Sequence, residues 1–293
     1  MVSVRISIAF VTKGGKGAAM IIQNLIEDTN GTAPVLAEHG LSFLVTAGGH
    51  RYLLDTGASD KTWENAKTLG VSVTDVDAVV LSHGHYDHTG GMHGLAKMGY
   101  AGPVYLRDNA ALPYYNLREY EKYIGIDLKI LELPGLRLTP REGITKADET
   151  LSLFSGVSGT RFAPEGNRTL YEKKDGQFIK DAFEHEMYAV ITEGTKSVLV
   201  SGCAHKGIVN ILERYRELYG SNPDAVVSGF HMMNADGYDE AAVSRIQEVA
   251  KELAATGVMF YTGHCTGIPA YELMKPVLKE KLVYLHAGDR VEL

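Results

Sequence analysis

The sequence predicts an α/β protein, and three observations carry that prediction. Short apolar runs rich in Val, Ile, Leu, Phe and Tyr alternate with helix-like segments along the chain. Two of those segments confine their apolar residues to one helical face and stop at a glycine. Four of the apolar runs end in Ser or Thr, then Gly, with His alongside. Runs of this length and composition read as strands buried on both faces.

The predicted strands are residues 4–11, 42–46, 52–55, 78–81, 187–191, 197–200, 225–227 and 258–261. The first clear helix places Ile208, Ile211, Leu212 and Tyr215 on one face, with Gly220 after its end. The second does the same with Val243, Ile246, Val249, Ala250 and Leu253, and Gly257 is its expected stop. A weaker helix is expected after Pro269, from Ala270 to about Lys279. Residues 134–181 lack periodicity and carry Pro140, Pro164 and several glycines, so they read as a loop-rich insertion in a single domain spanning 1–293. Gly14, Gly15 and Gly17 do not read as a phosphate loop, because no Gly-Lys-Ser/Thr ending follows.

The chain has 293 residues, 45% of them hydrophobic and 22% charged, enough to bury a large core without disulfide or metal support. A net charge of -7 opposes a nucleic-acid-binding role. Cys203 and Cys265 form no CxxC pair or disulfide framework, so a reducing compartment is expected. With no signal-peptide pattern and no long apolar run, the expected location is the cytoplasm, with no membrane partner.

The repeated strand ends are Leu81-Ser82-His83-Gly84-His85, Val200-Ser201-Gly202-Cys203-Ala204-His205, Val227-Ser228-Gly229-Phe230-His231 and Tyr261-Thr262-Gly263-His264. Six of the 11 histidines lie at or just beyond them, His88 included. In α/β sheets ligands collect outside the carboxyl ends of strands, so these imidazoles are expected to converge at one edge. His83 and His85 are two apart and project to one side of an extended backbone. Asp87 and His88 follow where the chain turns toward a helix, so the run His83-Gly84-His85-Tyr86-Asp87-His88 can serve two neighbouring ions. Imidazoles with one carboxylate suit zinc, manganese or iron better than calcium or magnesium.

This run is the motif of the metallo-β-lactamase superfamily, which the chain resembles over nearly its whole length. The resemblance implies a four-layer αββα sandwich and a metallohydrolase or transferase. Leu54-Asp55-Thr56-Gly57 matches a second family element, in which the Asp supports the ligating imidazoles from behind. Glu38-His39-Gly40-Leu41-Ser42, Ser201 to Asn210, Gly229-Phe230-His231 and Gly263 to Gly267 resemble one branch. Its members are described as 7,8-dihydropterin-6-methyl-4-(β-D-ribofuranosyl)aminobenzene 5′-phosphate synthases.

The resemblance implies one or two divalent transition-metal ions, zinc first, manganese or iron as alternatives. His83, His85 and His205 would hold the first ion; Asp87, His88 and His264 the second, with Asp87 also catalytic. Cys203 stands where many members place a bridging Asp, and a buried inert thiol is expected there. Glu186 stands near another ligand position but is expected to be solvated or to end a helix. His231 would donate a proton or touch substrate. His39 and His286 are expected to be structural. Lys206 and Asn210, at a helix start with free amides, would receive a phosphate, as would Arg161 and Arg168. The expected partner is a phosphorylated or diphosphorylated small molecule. A general hydrolase of phosphoesters, lactones or thioesters, a nuclease, and a non-catalytic metal or ligand sensor are the alternatives.

Overall fold

The computed structural model describes residues 19–293; the expected strand at 4–11 and Gly14, Gly15 and Gly17 lie outside them. The chain builds two seven-stranded sheets. The first runs β18 (Arg290–Glu292), β1 (Ile21–Ile26), β2 (Ser42–Ala47), β3 (His50–Leu54), β4 (Ala78–Val80), β5 (Val104–Arg107) and β8 (Leu136–Thr139). The second runs β17 (Leu282–Tyr284), β16 (Met259–Thr262), β15 (Ala225–Val227), β14 (Lys196–Val200), β13 (Tyr188–Glu193), β10 (Leu151–Phe154) and β9 (Ile144–Lys146). In each sheet, one half is antiparallel and the other parallel: β3, β4, β5 and β8 in the first, β14 to β17 in the second.

Alternation along the strands sets the layers. Phe43, Val45, Tyr52, Leu54 and Val80 of the first sheet meet Leu153, Ala189, Val198, Val200 and Val227 of the second in one shared core. Their sequence neighbours point outward. Leu44, Leu53 and Val79 pack under α1 (Lys61–Thr68) and α3 (Met92–Lys97). Leu199, Val226 and Phe260 pack under α4 (Ile208–Tyr219), α5 (Glu240–Ala255) and α6 (Ile268–Leu278). This is the expected αββα sandwich. Strands buried on both faces explain the near-continuous apolar runs.

The helix signals hold locally. Asp239 caps α5, its carboxylate accepting from Ala242 N. Gly220 ends α4 in the left-handed region at φ 77°. The reading of 134–181 as a loop-rich insertion is corrected. Within it, β8 is an edge of the first sheet and β9 of the second, with β10 buried between β9 and β13. β11 (Leu170–Lys174) and β12 (Gln177–Lys180) join β6 (Tyr114–Asn116) and β7 (Lys122–Tyr123) in a small third sheet. Edge strands are short and half exposed, so their apolar periodicity is too weak to read.

Candidate metal centre

The parallel halves of both sheets deliver their carboxyl ends to one edge. Asp55 follows β3 and His83 follows β4. His205, His231 and His264 follow β14, β15 and β16. The two sheets touch here: Met187 N donates to Ser82 O at 2.8 Å. Gly202 permits the approach, since a Cβ there would stand 2.2 Å from Ser82 Oγ. A short helix, α2 (Tyr86–Thr89), then turns Asp87 and His88 inward. Asp55, Ala204, His231 and His264 all hold left-handed backbone, at φ 59°, 56°, 48° and 49°. Non-glycine residues in that region cost free energy and cluster at functional sites.

Two sets of side chains result, each with its potential ligand atoms within 4.8 Å of one another. The first is His83, His85 and His205; the second is Asp87, His88, Cys203 and His264. The His83 and His88 rings, 4.2 Å apart, join the sets.

The imidazoles are oriented from behind. Asp55 accepts from Ser82 N and Ser82 Oγ, both at 2.7 Å, and its Oδ2 meets His88 Nδ1 at 2.6 Å. Because the Ser82 hydroxyl proton goes to Asp55, Ser82 Oγ must accept from His83 Nδ1, 2.8 Å away. Asn167 Oδ1 takes the Nδ1 proton of His205 at 2.9 Å, and Asp28 takes that of His264. These partners place the Nδ1 protons outward and leave Nε2 lone pairs facing the cluster. The Nε2 atoms of His83, His85, His205 and His264 are buried and have no hydrogen-bond partner in the protein. Four such orphaned ring nitrogens are costly unless an ion uses them, so the residues fit divalent transition metal.

The two sets differ electrostatically. Burial first, then neighbouring imidazoles, drive His83 and His205 well below the ordinary imidazole range. Burial and His185 lower His85 to about 3. All three are neutral and ready to donate lone pairs. In the second set burial alone would raise Asp87, but His88, His264 and His39 outweigh it and hold the carboxyl well below its usual range. Burial pushes the Cys203 thiol up.

Several of the expected residues already have partners within the protein. Lys206 does not offer free amides or a free cation. Glu186 takes the backbone N–H of His205 and Lys206 at 2.6 and 2.9 Å, and Lys206 Nζ donates to Glu184 Oε1 and Ala182 O. Asn210 Nδ2 donates to Arg161 O and Lys206 O, and Arg161 pairs with Glu213 and Glu252. Glu186 itself is buried rather than solvated. Cys203 is buried as expected but faces the cluster, its Sγ 3.1 Å from His88 Nε2. His39 reaches Asp28 Oδ2 at 2.7 Å and Asp87 Oδ2 at 3.4 Å. Arg168 pairs with Asp236 at 2.6 Å, and His286 meets Thr29 at 2.6 Å. His231 is half-buried, its ring 4.1 Å from that of His205 and its Nδ1 unpartnered. Asp28 and Asn167 were missed by sequence reasoning, since neither adjoins a histidine in the chain.

Comparisons with known proteins agree with this architecture. The family model described as the metallo-beta-lactamase superfamily matches residues 36–247. A 7,8-dihydropterin-6-methyl-4-(β-D-ribofuranosyl)-aminobenzene-5′-phosphate synthase from Methanocaldococcus jannaschii is 31% identical, over 95% of this chain and 98% of its own. A solved structure, a metal-dependent hydrolase of the β-lactamase superfamily, is 30% identical with a TM-score of 0.78, covering 94% of this chain and 99% of its own. A ribonuclease from Thermus thermophilus is 44% identical, but over 22% of this chain and 16% of its own. With the family model matched over most of its length, and most of that length shared with the synthase and the hydrolase, the chain belongs to the metallo-β-lactamase superfamily.

Proposed function

We propose that this metal-dependent enzyme acts on a phosphorylated or diphosphorylated small molecule, in a reaction like the one its Methanocaldococcus relative is named for. The observation that carries the metal centre is the convergence of four buried, partnerless Nε2 atoms. The substrate class rests on the 31% identity to the synthase.

In this reading His83, His85 and His205 hold one ion. Asp87, His88, His264 and Cys203 hold the second, with zinc ahead of manganese or iron for an imidazole-rich set. A divalent ion there supplies Lewis-acid stabilisation of charge on a phosphoryl or carbon-linked oxygen. The chain's own residues do the rest. Asp55 and Ser82 lock His83 and His88 in one tautomer, Asn167 does so for His205, and Asp28 for His264. Asp87 adds the fixed negative charge of the second set. His231, with its free Nδ1, contacts substrate or donates a proton to the leaving group. Residues 19–293 read as one domain, because β18 from the C-terminal end lies beside β1. No helix among the described residues is long and apolar enough to cross a membrane, and both cysteines are free thiols, which supports a reducing, cytoplasmic setting.

A hydrolase is the second reading, favoured by the solved relative at 30% identity. One experiment separates them. The protein is loaded with Zn, Mn and Fe in turn, and bound ions are counted. It is then given a pterin diphosphate with a ribosyl-aminobenzene phosphate, and separately phosphoesters, lactones and thioesters. Condensation supports the first reading and hydrolysis alone the second. Zero turnover across the panel with ions bound would overturn both.

A further inference from the structure

In the first set Ser82 orients His83 and Asn167 orients His205, but no side chain among the described residues hydrogen-bonds the His85 ring. The direction of His85 is therefore set by its backbone and by the rings packed on it. Both lead to His185, which is fully buried and has no role in the histidine sets. His185 Nδ1 accepts from the N–H of Gly84, the residue between His83 and His85, at 3.0 Å. Accepting that bond takes a lone pair, so the His185 proton sits on Nε2, which donates to Asp181 Oδ2 at 3.0 Å. Gly84 also packs close on Ala110, where a Cβ would stand 2.3 Å from Ala110 O. The His185 ring lies 5.2 Å from the His85 ring and 4.1 Å from that of Tyr114.

His185 belongs to a strap between β12 and β13, residues 181–187, that holds the first set from both sheets. Asp181 Oδ1 accepts from Phe183 N at 2.6 Å, and the Phe183 ring lies parallel to that of His205 with centroids 4.5 Å apart. Glu186 takes the His205 N–H, and Met187 N donates to Ser82 O. The buried Arg107 donates through Nε and Nη2 to Glu184 O, which fixes the middle of the strap. His85, Asp181 and His185 bring potential ligand atoms within 4.8 Å of one another. In that trio the His185 lone pair is spent on Gly84 and its other nitrogen carries a proton, so the trio is a brace and not a third ion site.

We infer that His185 is a positioning residue for the first ion: by holding the Gly84 backbone and packing on the His85 ring, it fixes how the His83 and His85 lone pairs converge. The inference rests on the metal-dependent reading above. Partners that orient ligating imidazoles govern metal affinity by about 10–100-fold.

The test is a zinc titration of the full chain carrying ¹⁵N-labelled histidine, read at the imidazole nitrogens. His185→Phe keeps a ring against Tyr114 and removes the acceptor. It should weaken zinc binding at His83, His85 and His205 by about 10–100-fold, while His88 and His264 still respond at the wild-type zinc concentration. His185→Asn returns an acceptor near the Nδ1 position and should recover most of that affinity, which a space-filling role would not give. Should His185→Phe not fold, Asp181→Leu, which removes the acceptor of the Nε2 proton, carries the same first-set loss. Equal losses at both sets, unchanged affinity, no recovery in a folded His185→Asn, a third bound zinc, or a His185 proton on Nδ1 in the metal-free chain would overturn the inference. A wild type that takes up no zinc sinks the metal reading itself. A wild type that binds zinc no better than the folded variants sinks only the role of His185.

Discussion

The first histidine set and the second differ in charge and in what stands behind them. His83, His85 and His205 are neutral imidazoles, and a neutral serine and amide orient two of them. The second set contains the Asp87 carboxylate and the Cys203 thiol, and the carboxylates of Asp55 and Asp28 back its imidazoles. An ion held by the first set keeps more of its charge for substrate. One held by the second is compensated by Asp87. One sequence run thus serves two electrostatic environments, because His83 and His85 leave a strand while Asp87 and His88 sit in the following helix.

Asp55→Ala should do the most damage, since Asp55 supports both sets. It should lower metal affinity of both by about 10–100-fold and destabilise the fold by about 3–5 kcal/mol. Metal analysis with thermal melting checks this; loss of only one ion would break the symmetry assumed for Asp55.

Acid should come next, acting on the first set. The folded His85 lies at about 3 against an ordinary 6.5, and His83 and His205 are lowered as well. The unfolded chain therefore binds more protons below 6.5, and stability falls as pH drops from there toward 3. Burial raises Glu27 and Glu186, and charged neighbours raise His264 and His39 against burial, all of which oppose the trend; the depressed Asp28 and Asp87 add to it only below their ordinary 3.8. Urea midpoints of the metal-free protein at pH about 7 and about 5 should fall; a flat or rising midpoint would contradict neutral buried imidazoles.

Cys203→Ser separates the sets. Cobalt-loaded wild type should show a thiolate-to-metal charge-transfer band that the variant lacks, with affinity reduced about 10-fold at the second set alone. An unchanged spectrum would return Cys203 to the status of an inert buried thiol. Lys206→Ala should change little, about 1 kcal/mol or less in stability, and KM for a phosphorylated substrate should stay within about twofold. A large KM increase would reinstate Lys206 as a phosphate ligand.

The strands β2, β3, β4, β13, β14, β15 and β16 and the helices α4, α5 and α6 were legible because burial on both faces, or on one helical face, leaves a periodic apolar record, whereas β5, four residues long, was not anticipated. β1 was not anticipated: Gln23 and Asn24 interrupt its apolar run, and its place between β18 and β2 comes from pairing across the length of the chain. β8 and β9 were hidden for the opposite reason, since edge strands need little apolar surface, and β10 is buried but only four residues long. The histidine sets could be named from the four strand ends. Their supports could not, because Asp28, Asn167 and the Glu186 cradle bear no fixed spacing to the histidines they hold.

Local spacing alone determined which residue types could bind metal, since alternation along a strand and the turn into a helix set where each imidazole points. The tertiary structure decided which cations were already paired and which thiol faced the cluster. Those outcomes depend on groups distant in the chain meeting in a low-dielectric interior, where every charge and lone pair must find a partner.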